Sequence, residues 1–321
     1  IAQLGKVGAR AMAVAIIGVV VPFVTGTWLV GPLLLPGMEF NAYLFLGAAL
    51  TATSVGITAR VFKDLGALQR PEAQIVLGAA VIDDVLGLII LAVVSAIVTA
   101  GSVSALAVGW IFLKSLLFLV GAIVLGQILA PRLGAALSRI STGAGMKFTL
   151  AAAFALIFAY VAGAIGLAPI VGAFAAGLVL DPVHFRDFEE APLLLDVRES
   201  VADADPRTKE RVMEVAHVHS HRHVEDLIEP LGHFLVPIFF VLTGMSVSLE
   251  ALFDLPVLMV ALGITLVAVI GKLVAGFVAG NVNRSIVGWG MVPRGEVGLI
   301  FATMGLQLGV LPEAEFSVIV I

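Results

Sequence analysis

Apolar runs follow one another along almost the whole chain, separated by short segments that are polar or contain Pro and Gly. Most are roughly 20 residues long, the length at which a helix crosses the hydrocarbon core of a bilayer. We identify nine such runs and an incomplete tenth, near residues 8–30, 41–62, 72–99, 104–130, 147–164, 167–181, 231–248, 256–280, 285–309 and 314–321. The pattern predicts an all-α polytopic membrane protein.

One sizeable polar segment, residues 182–230, interrupts this pattern. It separates a first membrane part, residues 1–181 with about six spans, from a second membrane part, residues 231–321. We expect a partly helical or flexible insert without a core of its own. It contains four alternating histidines, which on a helix would form i,i+4 pairs able to hold a metal ion or sense pH, although a solvated loop needs neither role. They are His217, His219, His221 and His223.

The basic residues alternate between successive loops. All 18 lysines and arginines except Lys114, Lys272 and Arg294 lie at the N-terminal end or in every second loop. By the positive-inside rule, residue 1 and the 182–230 loop are cytoplasmic. The sequence opens at Ile1 rather than at a start methionine, and its last run, 314–321, is too short to cross a bilayer, so we expect this chain to be part of a longer protein.

The composition agrees with a membrane protein, because 60% of the residues are hydrophobic, only 13% are charged, and the mean hydropathy is +1.11. A soluble domain carries about 25% charged residues. The chain has no cysteine, which excludes disulfides, thiolate catalysis and cysteine metal sites. We expect no cofactor and no nucleic-acid partner; the lipid bilayer is the expected surrounding.

Two adjacent carboxylates, Asp83 and Asp84, lie near the middle of the run 72–99. Charges at this depth are costly and mark functional sites. Neighbours on a helix point about 100° apart, so one can face an ion pathway while the other pairs with a cation on another helix. Lys272, near the middle of its own run, is the best available partner, either as a coupling group or in a permanent structural ion pair.

Two runs also contain helix breakers at mid-span. Pro293 and Gly295 flank Arg294 just before Glu296, and Thr51, Thr53, Ser54 and Gly56 cluster in the run 41–62. Paired interrupted helices are the sequence signature of a transporter binding site, because unwound backbone offers oxygen ligands. We expect Arg294 and Glu296 to neutralise half-helix ends rather than to bind the ion. Lys114 is expected to snorkel toward the external interface.

Five ordered motifs together resemble one family, the monovalent cation:proton antiporter-2 family, and within it the NapA-type sodium/proton antiporters. They are "TATSVGITARVFKDLG", "VIDDVLG", the segment around Lys272, "PIFFVLTGMSVSL" and "MVPRGEVGLI". The resemblance covers the chain except residues 182–230. It implies an NhaA-type fold with two inverted repeats and two crossing broken helices, and a homodimer in the plasma (inner) membrane of a prokaryote.

The resemblance also implies roles for individual residues. Asp84 matches the carboxylate that binds the proton and, as metal ligand, the Na⁺ ion, whereas Asp83 matches the aspartate paired with the core lysine, Lys272. Thr51, Thr53 and Ser54 match the unwound stretch near the ion, and Glu296 matches a glutamate beside the second break. The Asp-Asp pair accompanies electrogenic exchange in related proteins, whereas potassium-specific Kef-type relatives have Gln-Asp.

The resulting hypothesis is an electrogenic sodium/proton antiporter for pH homeostasis, a secondary transporter and not an enzyme, in which Na⁺ and H⁺ compete for Asp84. K⁺ or Li⁺ could replace Na⁺, and a K⁺/H⁺ antiporter of the same fold is the nearest alternative. A cation channel would use the same charges without obligatory exchange. An intramembrane aspartyl protease is disfavoured, because its two aspartates must converge from different helices.

Overall fold

The computed structural model describes residues 4–100, 105–180 and 223–321, with the single positions 197, 200, 201, 208 and 212. All regular secondary structure in these ranges is helical. The chain divides into two compact units, which we call unit 1 (Ile1–Leu113 with Leu242–Ile321) and unit 2 (Lys114–Val241). The predicted all-α class is confirmed for the described residues.

Thirteen α-helices are described, in chain order. They are α1 (Leu4–Val24), α2 (Gly31–Leu34), α3 (Phe40–Ala49), α4 (Val55–Asp64), α5 (Pro71–Ala100), α6 (Ala105–Leu137), α7 (Ala144–Ala164), α8 (Pro169–Val179), α9 (His223–Met245), α10 (Leu255–Ala275), α11 (Arg284–Gly290), α12 (Glu296–Gln307) and α13 (Glu313–Val320). A π-helical turn, Thr25–Val30, joins α1 to α2, and 3-10 turns lie at Glu250–Phe253 and Gly276–Val278.

Six helices of the described residues are long and apolar enough to cross a membrane. They cover Gly8–Leu34, Pro71–Thr99, Leu106–Leu137, Gly145–Ala164, Leu227–Met245 and Leu255–Val278. The protein is therefore a multi-pass membrane protein. The predicted runs 41–62 and 285–309 each contain two shorter helices, because residues 50–54 (the first break) and residues 291–295 (the second break) are not helical.

Two helices extend seven or more residues beyond the predicted runs. Helix α6 continues to Leu137, seven residues past the predicted end, with Pro131 inside it. Helix α9 begins at His223 instead of residue 231, and it contains Pro230. In both cases a proline lies where the sequence pattern predicts a boundary, but these two helices continue through it, so part of the predicted 182–230 loop is helical.

Unit 1 is held together by small residues that let helices approach closely. Helix α1 packs against α5 and α10 around a core that includes Val14, Ala79 and Ala275, none of them accessible to solvent. Where the π-helical turn crosses α3, a Cβ added to Gly26 would lie 2.9 Å from the Cα of Gly47. Close crossings of this kind are how helices associate in lipid.

In unit 2, α7 and α8 form a helical hairpin. Its turn contains Gly166, whose φ of +76° is a conformation that residues with a Cβ rarely adopt. Phe154 on α7 and Val179 on α8 share one apolar core. The ammonium of Lys114 donates a hydrogen bond to the carbonyl of Ile165, at 2.7 Å, so this lysine binds the C-terminal end of α7.

Candidate functional site

The two helix breaks lie against each other in unit 1. The hydroxyl of Thr53 donates to the carbonyl of Met291 at 3.1 Å, and the backbone N–H of Ser54 donates to the carbonyl of Pro293 at 2.8 Å. A Cβ on Gly295 would lie 2.9 Å from the Ser54 hydroxyl. The structure therefore brings together the two interrupted segments that the sequence predicts.

Local sequence explains why the helices stop here. Pro293 has no N–H to donate, so a helix cannot run through the second break without losing a bond. Ser54 is the N-cap of α4, and its hydroxyl accepts from the N–H of Ile57 at 3.4 Å. The hydroxyl of Thr51 donates back to the carbonyl of Ala48 at 2.7 Å. The breaks thus leave carbonyl groups near mid-span that require partners.

Arg294 supplies several of those partners. Its Nη1 donates to the carbonyls of Leu50 at 2.7 Å, Ala52 at 3.0 Å and Ala49 at 3.5 Å. Its Nη2 donates to the carbonyl of Ala268 on α10 at 3.3 Å. A guanidinium at the C-terminal end of a half-helix also interacts favourably with the helix dipole. Arg294 therefore ties the first break, the second break and α10 together.

Asp83 and Lys272 form a buried ion pair. Lys272 Nζ lies 3.1 Å from one carboxylate oxygen of Asp83 and 3.2 Å from the other, and the side chains of Lys272 and Asp83 are 0% and 1% exposed. The hydroxyl of Thr53 and the charge of Arg294 also act on Asp83. A buried charge of this kind needs such partners, because its desolvation costs several kcal/mol.

Asp84 has a different environment one residue further on. Its side chain is half-buried, and within the described part of the chain it makes no hydrogen bond and no ion pair. The charges of Asp83, Glu296 and Lys272 act on it. Glu296 opens α12 and is exposed. A carboxylate without a fixed partner, next to one that is paired, can accept a proton or a cation without breaking an existing contact.

The predicted histidine cluster lies mostly outside the described residues. His217, His219 and His221 are among those not described, and only the backbone of His223 is described, at the start of α9. In the described part of the chain, no three His, Asp or Glu side chains are close enough to hold a metal ion together.

Several polar contacts were not predicted from the sequence, and two of them lie on α4 and α9. The hydroxyl of Thr58 donates to the carbonyl of Gly290 at 3.1 Å, which extends the contact between the broken helices. On α9, His233 and Glu229 lie 3.6 Å apart, both more than half exposed. The i,i+4 spacing of the second pair is a signal that could have revealed it. The first requires the tertiary arrangement.

Together these features define a polytopic helical membrane protein with two facing interrupted helices and charged groups beside them, the arrangement in which secondary transporters form their ion sites. The chain belongs to the transmembrane sodium/hydrogen exchanger family, whose model matches residues 1–204 and 212–321.

Curated relatives are similar along almost the whole chain. The high-affinity Na⁺/H⁺ antiporter NhaS3 of Synechocystis is 35% identical over 99% of this chain and 63% of the relative. The Na⁺/H⁺-K⁺ antiporter GerN of Bacillus cereus is 31% identical over 97% of this chain and 70% of the relative. The probable Na⁺/H⁺ antiporter GerT of the same organism is 31% identical over 96% and 72%. The chain thus spans 63% to 72% of the length of these relatives.

Proposed function

We propose that this protein is a secondary-active sodium/proton antiporter in which Na⁺ and H⁺ compete for Asp84. The observation that carries the proposal is the contrast between the two aspartates: Asp83 is paired with Lys272, whereas Asp84 is half-buried beside it without a partner of its own among the described residues. The names of the relatives, which describe antiporters of Na⁺ and H⁺, support the same reaction.

When Na⁺ and H⁺ compete for one carboxylate, the charge of that carboxylate couples the transport of the two ions. An empty Asp84 would add an unpaired negative charge beside Asp83 and Glu296, and moving such a charge through a low-dielectric region costs several kcal/mol. Either Na⁺ or H⁺ removes that charge. The site therefore moves between the two membrane sides when it is loaded with one ion or the other, and it moves poorly when empty.

Each surrounding residue has a role in this proposal. Thr51, Thr53 and Ser54 offer oxygen atoms to the bound Na⁺, with Asp84 as the charged ligand. Arg294 fixes the unwound backbone by its hydrogen bonds to three carbonyls of the first break region, which keeps these oxygens in place. Glu296 contributes negative charge that attracts cations.

We further propose that exchange is electrogenic, with two protons for one Na⁺. One Na⁺ moving out against two protons moving in transfers one net charge per cycle. A second proton requires a second titrating group. Lys272 is suited to this role because it is fully buried and its Nζ lies 3.1 Å from the carboxylate of Asp83. Loss of a proton from Lys272 would accompany opening of that ion pair.

The wider architecture is proposed from the family resemblance of the sequence. We propose an NhaA-type fold with inverted repeats, a homodimer, residue 1 and the 182–230 loop cytoplasmic, and a role in pH homeostasis at a prokaryotic plasma membrane. The alternation of basic residues supports the orientation.

K⁺/H⁺ exchange is the second candidate. The printed name of GerN includes K⁺, and the oxygen ligands around Asp84 do not by themselves distinguish Na⁺ from K⁺.

The test is proton movement in liposomes that contain the complete protein, a preset pH gradient and a fluorescent pH dye. We expect NaCl to collapse the gradient with the wild type and with Asp64→Asn, but not with Asp84→Asn. Asp64 is the matched control, because it is an exposed carboxylate in unit 1 whose only ion pair is with Arg60, at 3.9 Å, among the described residues. A response to KCl alone would favour K⁺/H⁺ exchange, and no response from folded wild type would refute antiport.

A further inference from the structure

Two helices of the candidate site each carry a buried hydroxyl group that has no hydrogen-bond partner in the described part of the chain. The hydroxyls belong to Ser95 on α5 and Thr303 on α12. A serine or threonine on a helix can donate to a carbonyl one turn earlier, as Thr99 does to Ser95 at 2.8 Å. An unpaired buried hydroxyl is destabilising, and a bound water or ion can remove that cost by supplying the missing partner.

Helical geometry places each hydroxyl on the same helix face as a carboxylate of the candidate site, two or three turns further along the chain. Ser95 is eleven residues after Asp84 on α5, three turns and ~16 Å further along the same helix face. Thr303 is seven residues after Glu296 on α12, two turns and ~10 Å further along the same face. Each helix thus carries, on one face, a carboxylate and a hydroxyl that has no partner in the described part of the chain.

Helices α5 and α12 run side by side and in the same direction. Near the breaks, the charge of Glu296 acts on Asp84. Further along, a Cβ on Gly87 would lie 4.0 Å from the ring of Phe301. Because residue numbers rise on both helices from the first pair, which interact by charge, to the second pair, which are in contact, α5 and α12 run in the same direction here. In the proposed orientation both helices lead from the candidate site toward the outside.

The side chains between these polar groups are apolar. On α5, Leu88 and Leu91 lie between Asp84 and Ser95, and both are buried. On α12, Ile300 lies between Glu296 and Thr303. The hydroxyls are therefore separated oxygen positions in otherwise apolar surroundings, ~10 Å beyond Glu296 (Thr303) and ~16 Å beyond Asp84 (Ser95) along their own helix axes.

We propose that Thr303 and Ser95 line the outer access route to Asp84 and supply oxygen ligands to a partly hydrated monovalent cation on its way to that carboxylate. This inference rests on the proposed function. It assigns to Thr303 the first oxygen beyond the binding site and to Ser95 the entry point. The hydroxyl oxygens of Ser95 and Thr303 replace water molecules that the cation loses as it leaves the external solution.

This sequence contains no cysteine, so a cysteine introduced into it can be tested by chemical labelling, with the unsubstituted full protein as the background. Thr303→Cys and Ser95→Cys are each made in the full protein and treated in vesicles with a membrane-impermeant cationic thiol reagent, added to one side at a time. Ala302→Cys is the matched control, because Ala302 is 0% exposed and adjacent on α12 but on another face. We expect labelling of the two variants from the outside only, slowed by NaCl, and none of the control.

This labelling does not depend on exchange activity, so it can fail or succeed separately from the antiport assay. The proposal is overturned if Thr303→Cys resists the outside reagent as Ala302→Cys does, if it reacts equally from both sides, or if neither NaCl nor KCl slows the reaction.

A kinetic measurement gives the second test. In right-side-out vesicles, Thr303→Val should raise the apparent KM for external Na⁺ about fivefold, the ratio that corresponds to one hydrogen bond of ordinary net strength. In inverted vesicles the KM for Na⁺ should stay at the wild-type value. Thr149→Val is the control, because its hydroxyl is already bonded to the carbonyl of Gly145 at 2.8 Å. An unchanged external KM, or equal changes on both sides, contradicts the proposal.

Discussion

Unit 1 and unit 2 stabilise their helices by different means. In unit 1, helices are interrupted, and the interruptions are held by hydrogen bonds and a buried ion pair, such as that of Lys272 with Asp83. In unit 2, α7 and α8 are continuous, and α8 approaches so closely that a Cβ on Gly172 would collide with the backbone carbonyl of Phe158. Unit 1 thus combines close backbone contacts, as at Gly26 and Gly47, with buried polar contacts, whereas backbone contact holds the helical hairpin.

This difference determines how each unit responds to substitution. Removing one member of a buried polar pair leaves the other member charged and unpaired, at a cost of about 3–5 kcal/mol. Adding a methyl group to a close helix contact forces a shift of the backbone, which costs roughly 1–3 kcal/mol. Unit 1 should therefore be sensitive to changes of charge as well as of volume, with the buried charges giving the larger effect, whereas the hairpin in unit 2 should respond mainly to changes of volume.

The largest effect is expected from Lys272→Met. This substitution keeps most of the length of the side chain but leaves Asp83 buried without its cation, so the free energy of unfolding should fall by about 3–5 kcal/mol. The measurement is chemical or thermal unfolding of the purified protein in detergent.

A second substitution makes this prediction sharper. Asp83→Asn removes the stranded charge, so the double variant should recover most of the stability lost in Lys272→Met, because replacing both members of a buried pair is often nearly neutral. A double variant as unstable as Lys272→Met would mean that packing of the lysine, and not its charge, holds unit 1 together.

A smaller effect is expected from Gly172→Ala in unit 2. The added methyl group meets the backbone of Phe158, which cannot rotate away, so the free energy of unfolding should fall by roughly 1–3 kcal/mol. Gly177→Ala, also on α8, is the control, because nothing lies within 4 Å of its added Cβ. Equal stability of the two variants in the same unfolding assay would show that the hairpin tolerates volume after all.

Much of unit 1 could be predicted because its signals are local. Pro293 and Gly295 mark the second break by backbone chemistry alone, and a lysine in a long apolar run demands a carboxylate partner. Helical geometry did not decide which aspartate pairs with Lys272; that assignment came from the family resemblance. The hydrogen bond of Arg294 to Ala268 could not be predicted, because it joins helices through tertiary packing.

In unit 2 the sequence was less informative for the same reason. That Lys114 snorkels toward the external interface stays a prediction, and its hydrogen bond to the carbonyl of Ile165, 51 residues away along the chain, could not be predicted. The α7–α8 turn that exposes this carbonyl is specified by Gly166, and nothing near Lys114 indicates it. The start of α9 at His223 was missed because Pro230 resembles a boundary, yet the helix continues through it.

The smallest effect is expected from Lys114→Met. Lys114 donates one hydrogen bond to the end of α7 and places a positive charge at that helix's C-terminus, but it is only partly buried, so water can replace it. We expect a loss of at most about 1 kcal/mol in the free energy of unfolding, and Lys114→Arg should lose less because it keeps the charge. Both variants should retain Na⁺-dependent proton movement in liposomes. If Lys114→Met were as destabilising as Lys272→Met, charged side chains would be equally important for stability in both units, and the contrast between the units would rest on the interrupted helices alone.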